Sequence, residues 1–178
     1  MASEQVGHSD EADAIENSPT PIRVLYIEDL QAHREMIKKV MAGVKWLTLD
    51  TAETLEEGLA KIENYNVILL DLMLPGQSDC FEGLRRVIQK VPLVPVVVFT
   101  ADDTRGQGAL RIGATEFLPK TLDAAALVSN AIRSALTKHR HSLALGKHLD
   151  SLDNAIRNKT PSEQIAVLAE SMRKDLFG

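Results

Sequence analysis

The chain has 178 residues, 44% of them hydrophobic, and a formal net charge of −5 at neutral pH. That suits one packed domain with appendages and is short for two. The acidic balance argues against a nucleic-acid surface, which needs a clustered positive field. One cysteine, Cys80, excludes an internal disulfide and fits a reducing compartment.

Residues 1–21 are acidic and polar and end in Pro19 and Pro21. That composition predicts a disordered tail, with no apolar core for a signal peptide. "IRVLYI" (22–27) is a short apolar run of strand type. "QAHREMIKKVMAG" (31–43) sets Ala32, Met36, Ile37, Val40 and Met41 on one helical face, with Gly43 as the stop. "WLTLDT" (46–51) alternates like a strand, and "AETLEEGLAKIE" (52–63) returns to helical spacing at Leu55, Leu59 and Ile62. "NVILLD" (66–71) is apolar on both faces. A helix over 81–91 follows, then a second continuous apolar run, "PVVVFT" (95–100). A Gly-containing segment (101–113) leads to "TEFLPK" (115–120), and from Leu122 a long helical pattern begins. No apolar run reaches the length of a membrane span, so the expectation is a soluble, cytoplasmic protein.

Strands that are apolar throughout must be covered on both faces. Five strand–helix repeats therefore predict an α/β fold, a doubly wound parallel sheet between helix layers, over 22–140. In such sheets ligands bind beyond the carboxyl ends of the strands. Glu28 and Asp29 end the first strand, Asp71 the third, Thr100 the fourth and Lys120 the fifth. Three acids, one hydroxyl and one amine thus meet on one edge. A buried carboxylate such as Asp71 is costly unless it is paired, hydrogen-bonded or metal-bound.

"YIEDL" (26–30), "LLDLMLPG" (69–76), "VVVFTA" (96–101) and "GATEFLPK" (113–120) together resemble the receiver domain of two-component response regulators. The resemblance implies the flavodoxin-like five-stranded sheet of order 2-1-3-4-5 and a phospho-accepting aspartate at the position of Asp71. It implies Mg²⁺ held by Asp29, Asp71 and the Met73 carbonyl, with Glu28 acting mainly through a bound water. Lys120 and Thr100 would serve the phosphoryl group, with Ala101 leaving the pocket open. Hard cations with oxygen ligands relieve such a carboxylate cluster. The implied partners are a histidine kinase or phosphotransfer protein and a downstream effector protein in a phosphorelay. No enzyme activity of its own is implied.

The chain also departs from the family pattern. The loop "QSDCFEG" (77–83) is about one residue longer than usual, and 101–113 about two residues shorter. Gly106 and Gly108 each cost a helix about 1 kcal/mol relative to alanine, so the fourth helix is expected to be short or irregular. Pro119 precedes Lys120 and Thr121 follows it, which makes Thr121 the expected N-cap of the next helix. Phe117 matches the family's switch aromatic and lacks a hydroxyl. Beyond the receiver domain, residues 141–178 predict a helical extension. Leu145, Leu149, Leu152 and Ile156 repeat like a coiled-coil seam. Thr160, Pro161 and Glu163 form a helix start ahead of a stripe at Ile165, Leu168, Met172 and Leu176. These helices either pack on the domain or form a homodimer or partner contact.

Two other functions stay open. One is a Mg²⁺-dependent phosphohydrolase with an aspartyl nucleophile, which wants an aspartate where Met73 stands. The other is a truncated DNA-binding transcriptional regulator, for which the remaining roughly 35 residues are too few to build a complete reader.

Overall fold

The computed structural model describes residues 14–121, 124–158 and 162–177. Strand and helix alternate: β1 (Ile22–Ile27), α1 (Gln31–Met41), β2 (Leu47–Ala52), α2 (Leu55–Lys61) with a 3-10 turn (Ile62–Asn64), β3 (Val67–Leu70) and α3 (Glu82–Lys90). Then come β4 (Val96–Thr100), a 3-10 turn (Asp103–Arg105) into α4 (Gly106–Ile112), β5 (Glu116–Pro119), α5 (Ala124–Arg157) and α6 (Ser162–Phe177). All pairings are parallel and the strand order is β2-β1-β3-β4-β5, as expected. Parallel pairing puts every strand's carboxyl end on the same edge. Ile27 pairs with Leu70, Leu70 with Val98, and Thr100 with Pro119, so Glu28, Asp71, Thr100 and Lys120 line up there.

The period of two along each strand divides the core. Val24, Tyr26, Leu69, Val97 and Phe99 meet Ile37 and Met41 of α1 and Val128, Ile132, Ala135 and Leu136 of α5. Leu25, Ile27, Ile68, Leu70 and Val98 meet Leu55, Leu84, Val87 and Ala109 of α2, α3 and α4. β3 is buried on both faces because it is the central strand of the five. Truncating one of its leucines to alanine costs about 2–5 kcal/mol.

Several local features refine the sequence expectations. β2 runs on through Ala52, so α2 starts later than 52. Its N-cap is Thr54, whose hydroxyl accepts the Glu57 amide at 3.1 Å. The expectation of a disordered tail through residue 21 is corrected at 14–21. A helical turn at 14–16 places Ile15 fully buried beside Met41, Trp46 and Val128, and Glu16 pairs with Arg133. One apolar side chain with a matching hole anchors a segment whose average polarity hides it. Residues 1–13 lie outside the described residues.

α4 is short, as expected, and its glycines have a packing reason. A Cβ on Gly106 would stand 2.4 Å from the Phe117 ring, and one on Gly108 would stand 2.7 Å from the Phe81 ring. Both rings lie directly against the helix backbone. The N-cap expected at Thr121 adjoins residues 122–123, which lie outside the described residues.

α5 spans 34 residues and is buried only in its first half. Among the described residues none beyond Leu136 is buried. α6 folds back along the outer half of α5, with Asp175 3.3 Å from His148, which makes the pair antiparallel. The partly buried positions of that half are Ala144, His148, Leu152 and Ala155, facing Ile165, Leu168 and Met172. Leu145, Leu149 and Ile156 are exposed. Of the start expected at Thr160, Pro161 and Glu163, the first two residues and the side chain of Glu163 lie outside the described residues, as does the side chain of Leu176. No helix among the described residues is long and apolar enough to cross a membrane.

Candidate functional site

The site is a carboxylate cluster at the sheet edge. Glu28 and Asp71 are buried and Asp29 is partly so; one oxygen from each lies within 4.8 Å of the others. Like charges this close repel, and the fold compensates with donors. Lys120, at the end of β5, donates from Nζ to Asp71 Oδ2 at 2.7 Å and to Glu28 Oε2. Its own amide donates to the Thr100 carbonyl at 2.8 Å, which fixes the base of its side chain. The Met73 amide donates to Asp71 Oδ1 at 3.2 Å.

Glu28 carries more partners than Asp71. The Tyr26 phenol donates to Oε2 at 2.5 Å, the Leu30 amide donates to Oε1 at 3.3 Å, and His33 Nδ1 stands 3.2 Å from Oε1. Burial first, and the Glu28 charge second, push the Tyr26 phenol far up from its ordinary value, so it stays a donor. Arg34 ties the acid pair from behind, donating to the Glu28 carbonyl at 2.7 Å and the Asp29 carbonyl at 2.6 Å. Tyr26, His33 and Arg34 were not singled out from sequence. Tyr26 sits two residues before Glu28, and the two-residue strand period was the available signal.

Thr100 is fully buried, and its Oγ1 has no hydrogen-bond partner among the described residues. Such a hydroxyl is costly to leave unpaired. At the mouth, Met73 is half exposed, and Arg105 Nη1 lies 3.0 Å from its sulfur while Arg105 Nε pairs with Asp102 at 2.6 Å. Cys80 is partly buried beside this mouth, with Leu72, Gln77 and Asp79.

The donor set fits a hard divalent cation. Its carboxylates are oxygen ligands only, and three negative charges against one Lys120 leave an excess of two. An aspartate of this kind, with an ammonium beside it and an unpaired hydroxyl near it, can act as an oxygen nucleophile towards phosphorus.

Residues 24–132 match the family model described as response regulator receiver domain. The chain belongs to the response regulator receiver domain family. The response regulator protein FleR of Pseudomonas aeruginosa is 31% identical over 118 residues, covering 64% of this chain and 24% of that protein. A protein-glutamate methylesterase/protein-glutamine glutaminase of Anaeromyxobacter dehalogenans is 31% identical over 105 residues, covering 56% of this chain and 30% of that one. The chain thus spans less than a third of the length of these relatives. A CheY-like receiver domain structure from Methanospirillum hungatei superposes with a TM-score of 0.59 at 24% identity, covering 69% of this chain and 99% of that one. The receiver domain of CheB from Thermotoga maritima gives a TM-score of 0.58 at 23% identity, covering 66% and 97%. The receiver fold therefore accounts for β1 to the first half of α5, while the outer half of α5 and α6 lie beyond the family match.

Proposed function

We propose that this receiver domain accepts a phosphoryl group on Asp71 from the phosphohistidine of a histidine kinase or phosphotransfer protein, and that the change is read by an effector protein. An Asp71 oxygen attacks phosphorus as the phosphorus–nitrogen bond breaks. The electron pair leaves on the imidazole nitrogen, which takes up a proton, and an acyl phosphate remains. Lys120 moves its charge towards the phosphoryl oxygens, and the Thr100 hydroxyl donates to them. Asp29, Asp71, the Met73 carbonyl and, through water, Glu28 would hold Mg²⁺, which neutralises charge between carboxylate and phosphoryl group when bound. The chain itself is a switch with no hydrolase activity, since Met73 stands where an aspartyl phosphohydrolase needs a second carboxyl. Its setting is the cytoplasm. The exposed Leu145, Leu149 and Ile156 support a homodimer through the C-terminal helices.

The observation that carries the reading is the Lys120 ammonium clasped between Glu28 and Asp71 inside the carboxylate cluster. Incubation with radiolabelled acetyl phosphate tests it. Label should appear on the wild type with Mg²⁺, fall on chelation, and be lost in Asp71→Asn; equal labelling of that variant refutes it.

A further inference from the structure

Both oxygens of the Glu28 carboxylate are engaged, and one is shared in a telling way. Oε2 takes the Tyr26 phenol at 2.5 Å and the Lys120 ammonium together. Both donors are seated on Phe99: the Tyr26 ring lies 6.0 Å from it, centroid to centroid, and Lys120 Nζ stands 5.5 Å from its centroid. Tyr26 is fully buried, so no solvent competes for its O–H.

We propose that Tyr26 is a positioning residue for phosphoryl transfer: by sharing Glu28 Oε2, it sets how readily Lys120 leaves Glu28 for a phosphoryl group on Asp71. This rests on the reading of Asp71 as acceptor. A buried carboxylate that loses its cation must keep other donors, or its charge is left uncompensated. With the phenol in place, the oxygen that Lys120 vacates still accepts an O–H. Without it, Oε2 depends on the ammonium alone. Lys120 is then held more tightly at rest, and its departure strips the oxygen bare. The penalty falls on the step that moves Lys120 and spares the binding of the metal.

Tyr26→Phe keeps the ring and removes the oxygen. Its acetyl phosphate labelling rate at saturating Mg²⁺ should fall on the order of tenfold. Mg²⁺ affinity of the unphosphorylated protein, measured by calorimetry, should stay level or tighten. In a Lys120→Ala background the same change should slow labelling no further. A labelling rate within twofold of wild type overturns the proposal. So does an equal loss in the Lys120→Ala background, or a drop in Mg²⁺ affinity large enough to explain the slowing. A measurement on the unmutated protein guards against a folding defect: with ¹³C-labelled tyrosine, the Tyr26 Cζ resonance should move when beryllofluoride occupies the acceptor, while that of Tyr65 serves as the control. A stationary Tyr26 resonance overturns the proposal as well. The two readings fail separately. Label that persists in Asp71→Asn sinks the acceptor assignment, whereas Asp71-dependent label at an unaltered rate in Tyr26→Phe sinks only the role of Tyr26.

Discussion

Replacing Lys120 by alanine should destabilise the metal-free protein sharply and Mg²⁺ should restore most of the loss. The ammonium is 8% exposed, 2.7 Å from the Asp71 carboxylate. At an effective dielectric of 20, charges at that distance attract by about 6 kcal/mol before desolvation. Its removal also unmasks the repulsion among carboxylates whose oxygens lie within 4.8 Å, about 3.5 kcal/mol for one pair on the same basis. The net loss expected for a broken buried pair is about 3–5 kcal/mol. Against a typical total of roughly 5–15 kcal/mol, that is a visible shift. Urea unfolding followed by the emission of Trp46, the single tryptophan, reads it directly. Adding Asp71→Asn to Lys120→Ala should return stability to within about 1 kcal/mol of wild type, since the repelling charge is then gone. Equal midpoints for Lys120→Ala and wild type without Mg²⁺, or no recovery in the double variant, would refute the reasoning.

Three further outcomes are expected. Gly106→Ala would drive a Cβ to 2.4 Å from the Phe117 ring, so it should destabilise by about 1–3 kcal/mol despite the better helix former; a raised melting temperature refutes this. Glu116 ties β5 to α5 through Ser134 at 2.7 Å and Lys138 at 2.6 Å. Burial pushes its carboxyl up, but the hydrogen bonds from Lys138 and Ser134 outweigh that and hold it below the ordinary range. Its stabilisation is therefore present above the ordinary carboxyl value and lost as pH falls through the lower folded value. Glu116→Gln should cost about 1 kcal/mol at pH 7 and nothing once the carboxyl is protonated; melts across acid pH that keep a constant gap refute it. Leu149→Glu with Ile156→Glu should reduce the wild-type mass in light scattering to that of a monomer, and a wild type that is already monomeric at micromolar concentration excludes the homodimer.

What the sequence made legible follows from where chemistry constrains it most. Val67 to Leu70 have no polar residue to turn outward, so a central strand was the one place they could go, and Asp71 directly after them had to be a strand-end acid. Glu28, Asp29, Thr100 and Lys120 follow from the same rule. Tyr26 escaped because an aromatic inside an apolar strand counts as core; that its hydroxyl reaches a carboxylate is a tertiary fact. Ile15 escaped because one anchored side chain does not change the polarity of its window. The helical extension was legible as helices but not in its contacts. α5 turns Ala144, His148 and Ala155 towards α6 with Leu152, and leaves Leu145, Leu149 and Ile156 outside. Small residues let two helices approach closely, and a heptad pattern cannot say which partner its leucines await.

The continuity of α5 gives the molecule a mechanical gain. The helix enters just beyond Lys120, is gripped by the core as far as Leu136, and then runs free of it to Arg157. At 1.5 Å per residue the free arm is about 32 Å long. A tilt of about 5° at the gripped end would swing the far end by nearly 3 Å over that length. An adjustment at β5 too small to alter any contact in the core can therefore arrive at the tip as a displacement the size of a side chain.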